Sequence, residues 1–311
     1  MIASIRWDGA PVRAPGIYHD MPLARYHQGD AAAGPSVSST TLRRLWNESP
    51  AHAWAHDPAN PNRVVDDDSE AFILGRATHH LICGQAGFSD EFIVRPTQAP
   101  DGRDWHGSNK SCIKWTAEQK RIGRTVLTSA HVEQIKGMAI ALGAHPLVQA
   151  GILNGLIERS LFWQDKETGL WLKARPDAIP SDSGDFADLK TTESVLYHRL
   201  QNSIATYGYH QQAALVLEGA RALDLPAETF TLIWVESKKP HCARAQQIKD
   251  EDIARGTKQN RAAIRMFADC LAAGSWPGPG DDRPDAEFVD LPDWKRKQID
   301  ERLKLELREA A

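Results

Sequence analysis

Between residues 160 and 190, short apolar runs alternate with polar turns, the pattern of strands joined closely in sequence. Ser160-Leu161-Phe162-Trp163 is apolar and aromatic and reads as a strand. Asp165 to Gly169 is a turn, and Leu170 to Arg175 returns as the second strand of a hairpin that delivers Pro176-Asp177. Ser181 to Gly184 turns again, and Asp185 to Lys190 is a third strand. Thr191-Thr192-Glu193 then opens a helix with a hydroxyl cap. Thr229 to Glu236 reads as a buried strand and Glu91 to Arg95 as a short one. Helical patterning follows Ser38, with Leu42 and Leu45 on one face, and a second short helical turn spans Ala51 to His56. Further helices are predicted from near Asp68-Ser69 through Leu81, over Glu118 to Arg124, Thr128 to Leu142 and Glu251 to Ala273, and through Tyr207 to Leu215.

The pattern divides the chain into three parts. Residues 1–36 read as an irregular segment, broken by Pro11, Pro15, Pro22 and Pro35. Residues 37–276 form the main domain. Residues 277–311 hold a linker of Pro, Gly and Asp followed by a charged helix from Trp294 to Ala311. Asp57 to Asn62 is a Pro-rich loop, and Asp101 to Trp115 reads as a polar loop placed over a substrate channel. No internal repeat is visible.

The third strand carries chemistry. Asp177 is followed eleven residues later by Asp188-Leu189-Lys190. Strand side chains alternate faces, so Asp188 and Lys190 point the same way. Two carboxylates and an ammonium on one surface can hold a divalent metal and an attacking water. The same three residues also fit a surface meander with solvated charges. His79 and Gly75 lie one turn apart on the predicted 70s helix, where a lone histidine is commonly structural. Tyr209 and Gln212 share a helix face and also fit an ordinary polar patch.

Taken in order, these pieces read G-x-A-x-H (Gly75, Ala77, His79), Glu158, a hairpin, Pro176-Asp177, Asp188-Leu189-Lys190-Thr191, and Tyr209-x-x-Gln212. That order resembles the PD-(D/E)XK nuclease superfamily, in the branch containing RecB-type and Cas4-type nucleases. It is closer still to the exodeoxyribonuclease VIII (RecE-type) family of phage and prophage nucleases. Further segments carry the likeness: Gly16 to Tyr18, Val37 to Leu42, Ser49 to His52, Leu74 to His79, Thr168-Gly169, Lys173 to Asp177 and Tyr209 to Ala214. The second acid is Asp188 where Glu is the commoner residue, and Gln211 stands beside the motif glutamine Gln212.

The resemblance implies an α/β fold, a restriction-endonuclease-like mixed central sheet flanked by helices. It also implies site roles. Asp177 and Asp188 would bind Mg²⁺, for which Mn²⁺ substitutes, with the Leu189 carbonyl completing the protein ligands. Lys190 would orient or deprotonate the attacking water. His79 would lie at the metal or its water, with His80 pointing elsewhere. Glu158 would bind a second metal directly or through water. Gln212 would steady the lysine, and Tyr209, Arg175 and Thr191 would contact DNA. Implied too are duplex DNA ends as substrate, a single-strand annealing protein as partner, and a homo-oligomeric ring.

Composition limits the alternatives. The 311 residues suffice for one large domain with appendages, and 41% hydrophobic with 25% charged residues is ordinary for a globular chain. No run approaches the roughly 20 apolar residues that span a bilayer, and the N-terminus lacks an apolar signal core, so a cytoplasmic location is expected. Cys83, Cys112, Cys242 and Cys270 are scattered without a C-x-x-C pair, so neither a zinc ribbon nor an iron–sulfur cluster is expected, and the thiols read as free and mostly buried. The net charge of −4 requires any DNA track to be local. Its candidates are Arg43-Arg44, Lys110, Lys114, Lys120-Arg121, Arg124 and Lys238-Lys239. Trp46, Trp54 and Trp105 could stack on bases or pack in a core. G-x-x-x-x-G-K-[ST] and G-x-G-x-x-G are both absent, which removes the commonest nucleotide-binding readings. The expected function is a metal-dependent DNA exonuclease resecting linear duplex from 5′ ends. The alternatives are a Cas4-like or structure-specific endonuclease and a non-catalytic DNA-end-binding module.

Overall fold

The structure is a computed structural model describing residues 4–309 except 66–67, 85–86, 182 and 282–283, with the side chains of 305–309 also outside the description. Asp182 of the expected turn and Ala311 of the tail thus lie outside the described residues. The chain forms two units, Met1–Trp276 and Pro277–Ala311.

The first unit begins with β1 (Ile5–Arg6), β2 (Gly16–His19), α1 (Leu23–Tyr26), β3 (Ser36–Ser38), α2 (Ser39–Asn47), α3 (Pro50–Ala55), α4 (Glu70–Ile82) and α5 (Phe88–Glu91). It continues with β4 (Phe92–Val94), α6 (Lys110–Arg121), β5 (Thr125–Leu127), α7 (Ser129–Gly143), α8 (Pro146–Gln149), β6 (Leu156–Ile157), β7 (Ser160–Gln164), β8 (Trp171–Ala174) and β9 (Ala178–Ile179). It closes with β10 (Asp185–Thr192), α9 (Tyr197–Tyr207), α10 (Tyr209–Ala222), β11 (Thr229–Glu236), β12 (Ala243–Gln247) and α11 (Asp250–Ala273). In the second unit, an irregular stretch leads into α12 (Asp293–Glu309).

The fold is α/β with mixed sheets flanked by helices. One sheet runs β1-β2-β7-β8-β3 around the expected hairpin, and another runs β10-β11-β12. β10 and β11 pair in parallel over their whole length, Asp188 opposite Leu232 and Lys190 opposite Trp234. Their side chains alternate between two cores. Phe186, Leu232 and Trp234 pack with Leu215 and Val216 of α10 and with Ile264 and Phe267 of α11. Ala187, Leu189, Ile233 and Val235 pack with Leu74 and Ala77 of α4 and with Ile135 and Met138 of α7. Helices therefore cover both faces, as a parallel pair requires.

Several expectations change. The segment read as irregular contributes β1, β2 and α1, because its prolines fall between the elements rather than inside them. Gly16 to Tyr18 pair antiparallel with β7. The Thr191-Thr192 pair does not open a helix. Both residues are β-branched and continue β10 opposite Val235 and Glu236, and α9 starts only at Tyr197. α6 starts at Lys110, capped by the Asn109 side chain, so residues 110–115 of the expected 101–115 loop are helical. Strand β12, an edge strand of mixed polarity, went unread. Trp54 stacks on Trp276 with ring centroids 4.5 Å apart, a core contact. Cys83, Cys112 and Cys270 are buried, and Cys242 is exposed.

The helix expected through Tyr207 to Leu215 is broken. Gly208 ends α9 and starts α10 at φ 64°, a left-handed conformation that lets the chain turn between them. A Cβ there would also lie 2.9 Å from Arg43 Cδ. Gly208→Ala is expected to lower stability by about 1–2 kcal/mol, read as a lower urea midpoint with an unchanged slope.

Candidate active site

β10 presents Asp188 and Lys190 on the same face, one strand period apart. The Lys190 ammonium pairs with Asp188 Oδ2 and lies 4.9 Å from the centre of the Tyr209 ring, a cation–π distance. Gln212 Nε2 donates to Asp188 Oδ1 at 2.9 Å. Its neighbour Gln211 turns into the core, where it is fully buried and its side-chain Nε2 donates to Asn260 Oδ1 at 3.4 Å, while its backbone carbonyl accepts from Asn260 Nδ2 at 2.8 Å. Gln212 is therefore the glutamine that reaches the site.

Asp177 arrives from the end of the hairpin, just beyond β8, and is buried. Its Oδ2 accepts from the Leu189 amide at 2.6 Å, and its Oδ1 lies 3.3 Å from His79 Nδ1. His79 Nε2 donates to the Leu189 carbonyl. The histidine of α4 thus bridges Asp177 and the backbone between Asp188 and Lys190. α4 can come this close because residue 75 is glycine: a Cβ there would sit 3.1 Å from Thr191 Oγ1. His80 packs edge-on against Phe88 and Phe92 while bordering the same cavity.

Glu158 lies beside this group at φ 54°, a left-handed conformation costly for a non-glycine residue. Its amide donates to the Asp177 carbonyl at 3.2 Å. Arg175 Nε donates to Glu158 Oε2 at 2.5 Å, and Arg175 Nη1 donates to the Met21 carbonyl and to Ser160 Oγ. Arg175 is thus bound to protein partners around Glu158. Asp177, Glu158, Arg175, Lys190, Thr191, Tyr209, Gln212 and His79 all border one cavity of about 940 Å³. Residues 101–115 do not border it. Of the expected basic track, Arg43 does, joined by Arg76 and Arg159, which the sequence reading missed.

The family model described as a PDDEXK-like domain of unknown function (DUF3799) matches residues 38–282, well over half of the chain. The chain belongs to this PDDEXK-like family. That places it in the PD-(D/E)XK superfamily. No curated protein sequence matches it. Among solved structures, a protein of Eubacterium rectale provisionally named an exonuclease is similar at TM-score 0.55 and 11% identity, over 86% of this chain and 92% of that one, which bears on the fold. A phage-related exonuclease from Haemophilus somnus 129PT (TM-score 0.30, 11% identity, 64% of this chain and 94% of that one) is more distant. So is an alkaline exonuclease from Laribacter hongkongensis (TM-score 0.27, 14% identity, 54% and 87%).

PD-(D/E)XK nucleases generally use divalent metals, and the donors here fit one. Asp188 Oδ2 is buried with the Lys190 ammonium beside it but accepts no hydrogen bond of normal geometry. Asp177 Oδ1 and the Leu189 carbonyl are held only by the two nitrogens of one imidazole among the contacts described. Carboxylate and carbonyl oxygens are the ligands that hard cations prefer. Cys83, one turn beyond His79 at the C-cap of α4, also joins this group. One donor atom each from His79, Cys83 and Asp177 fall within 4.8 Å of one another. The i, i+4 spacing of His79 and Cys83 was the available sequence signal.

The charges of this group act on one another. Burial raises the Asp188 carboxyl above its ordinary range, against the pull of Lys190. Burial pushes Asp177 the same way, but His79 and Lys190 outweigh it and hold that carboxyl low. Lys190 stays above the usual lysine range, because Asp188 and Asp177 outweigh its burial. Burial also opposes the His79 imidazolium, yet the Asp177 carboxylate raises it well above 6.5.

The His79–Asp177 pair therefore makes a pH-dependent contribution to stability. His79 has a raised pKa, so its share is full below pH 6.5 and is lost as pH rises through the elevated value. Asp177 has a depressed pKa, so its share is lost as pH falls below 3.8. In EDTA, thermal unfolding of His79→Gln is expected to show its largest deficit against the wild type near pH 6, narrowing towards alkaline pH.

Proposed function

We propose that the chain is a metal-dependent DNA exonuclease that resects linear duplex from 5′ ends and leaves 3′ single strands. The observation that carries this reading is the convergence of Asp177, Lys190 and Gln212 on one cavity, with the buried Asp188 carboxylate held directly behind them by Lys190 and Gln212. Family membership supports phosphodiester cleavage. The 5′ polarity, Mg²⁺ with Mn²⁺ as substitute, a single-strand annealing partner and a ring-shaped homo-oligomer rest on the RecE-type resemblance.

In this reading Asp177, Asp188, the Leu189 carbonyl and His79 would hold the ion, and Glu158 would serve a second one. A bound divalent ion would polarise the phosphodiester and make a water nucleophilic near neutral pH. Lys190, kept protonated by its two carboxylates, orients that water by hydrogen bonding and offsets the charge growing on the phosphate. Gln212 fixes the Asp188 carboxylate, and the Tyr209 ring fixes the ammonium. Thr191 and Arg159 line the cavity as phosphate contacts, Arg159 Nε being buried without a hydrogen-bond partner. Arg175 sets the position of Glu158.

End-labelled linear duplex and closed circular DNA, digested with Mg²⁺, test the reading. Linear DNA is expected to shorten progressively, with the 5′ label released first, while circles survive and EDTA stops the reaction. Lys190→Ala is expected to slow cleavage at least about a hundredfold while DNA binding persists. Cleavage of circles would replace the exonuclease with an endonuclease. No metal-dependent cleavage of any DNA would sink the catalytic reading.

The two adjacent glutamines should separate cleanly. Gln212→Ala is expected to lose rate with little change in urea midpoint. Gln211→Ala is expected to lose about 1–3 kcal/mol of stability, because the Gln211 Nε2 donor to Asn260 Oδ1 is removed and that oxygen is left unpaired in the core.

A further inference from the structure

We infer that His79, Cys83 and Asp177 form a second, thiolate-bearing metal site that captures Zn²⁺ and similar borderline-soft cations. This inference rests on the site described above but not on its activity. The three donors lie within 4.8 Å of one another, close enough to converge on one ion. They supply nitrogen, sulfur and oxygen, the donor set of three-ligand zinc sites that keep a fourth position open. His79 lies in the last turn of α4 and Cys83 caps the helix four residues on, its amide donating to the His79 carbonyl at 2.9 Å, which puts both on one face. Asp177 is brought to them by the hairpin. A thiolate contributes nothing useful to a hard ion such as Mg²⁺, whose ligands are oxygens.

The geometry also makes this site a competitor of the catalytic one. Asp177 Oδ2 is engaged by the Leu189 amide, which leaves Oδ1 as the oxygen that faces His79. The catalytic ion needs that oxygen, and so does an ion drawn to Cys83. The thiol is buried beside His79. Coordination replaces the thiol proton, which leaves to solvent as the sulfur–metal bond forms. Zn²⁺ then occupies Asp177 and His79 together, and the hard ion is displaced.

Co²⁺ serves as the spectroscopic probe, in phosphine-reduced full-length protein. The wild type and Cys112→Ser are expected to develop a near-ultraviolet thiolate-to-cobalt charge-transfer band that Cys83→Ser lacks. Competition with a chromogenic chelator is expected to show Zn²⁺ bound at least about tenfold more weakly by Cys83→Ser. Should that variant fold poorly, X-ray absorption of the Zn²⁺-loaded wild type reads the same bond, as one sulfur at about 2.3 Å. In cleavage assays, half-inhibition by Zn²⁺ is expected at least about tenfold higher in Cys83→Ser, relative to each protein's own rate. No charge-transfer band and no sulfur ligand in the wild type would overturn the site. The binding readouts need no cleavage, so a protein that binds Zn²⁺ through Cys83 yet cuts nothing would refute the proposed function alone.

Discussion

The site depends on one hydrogen bond, from the Leu189 amide to Asp177 Oδ2 at 2.6 Å. Asp177 belongs to the end of the hairpin, and Leu189 to the middle of β10, in a different sheet. The carboxylate therefore ties two separately built pieces of backbone together at the point where their acids must meet. It also fixes its own orientation, because binding the amide with one oxygen aims the other at His79. Asp188 and Lys190 need no such tie. The alternation of β10 and its full parallel pairing with β11 already put them on one face.

Around that tie, packing and polarity are divided strand by strand. The face of β10 that carries Asp188 and Lys190 also carries Phe186, which enters the core under α10 and α11. The opposite face carries Ala187 and Leu189, under α4 and α7. A charged site can sit on a strand next to Phe186, Ala187 and Leu189 because each buried charge has a partner: Asp188 has Lys190 and Gln212, and Asp177 has His79 and an amide. Unpaired, either carboxylate would cost several kcal/mol to bury.

Much of this was legible in the sequence. The hairpin, the third strand and the buried strand at Thr229 to Glu236 follow from short-range alternation, and the acids are ordered along them. Other features were less legible for identifiable reasons. The N-terminal strands are two and four residues long and owe their form to pairing with neighbours rather than to their own pattern. Thr191 and Thr192 look like a helix cap locally, and only the parallel partner β11 shows that they extend the strand. The choice between Gln211 and Gln212 depends on helix phase, which sequence cannot set without the break at Gly208. Cys83 was weighed only against the other cysteines, and its proximity to His79 and Asp177 is a tertiary fact.

The break at Gly208 works as a phase setter. Successive residues on an α-helix are rotated by about 100°, so α10 has one rotational setting in which the side chain of residue 212 meets Asp188 and that of residue 211 meets Asn260. That setting is fixed where the helix begins, three residues before Gln211. One residue inserted there would carry the site-facing position into the packed interior and swing the core-facing amide out toward the cavity. The two glutamines look interchangeable in the sequence, but the helix start assigns one to the interior and the other to the acids. The length of the α9–α10 corner is thereby as constrained as any side chain in the cavity it borders.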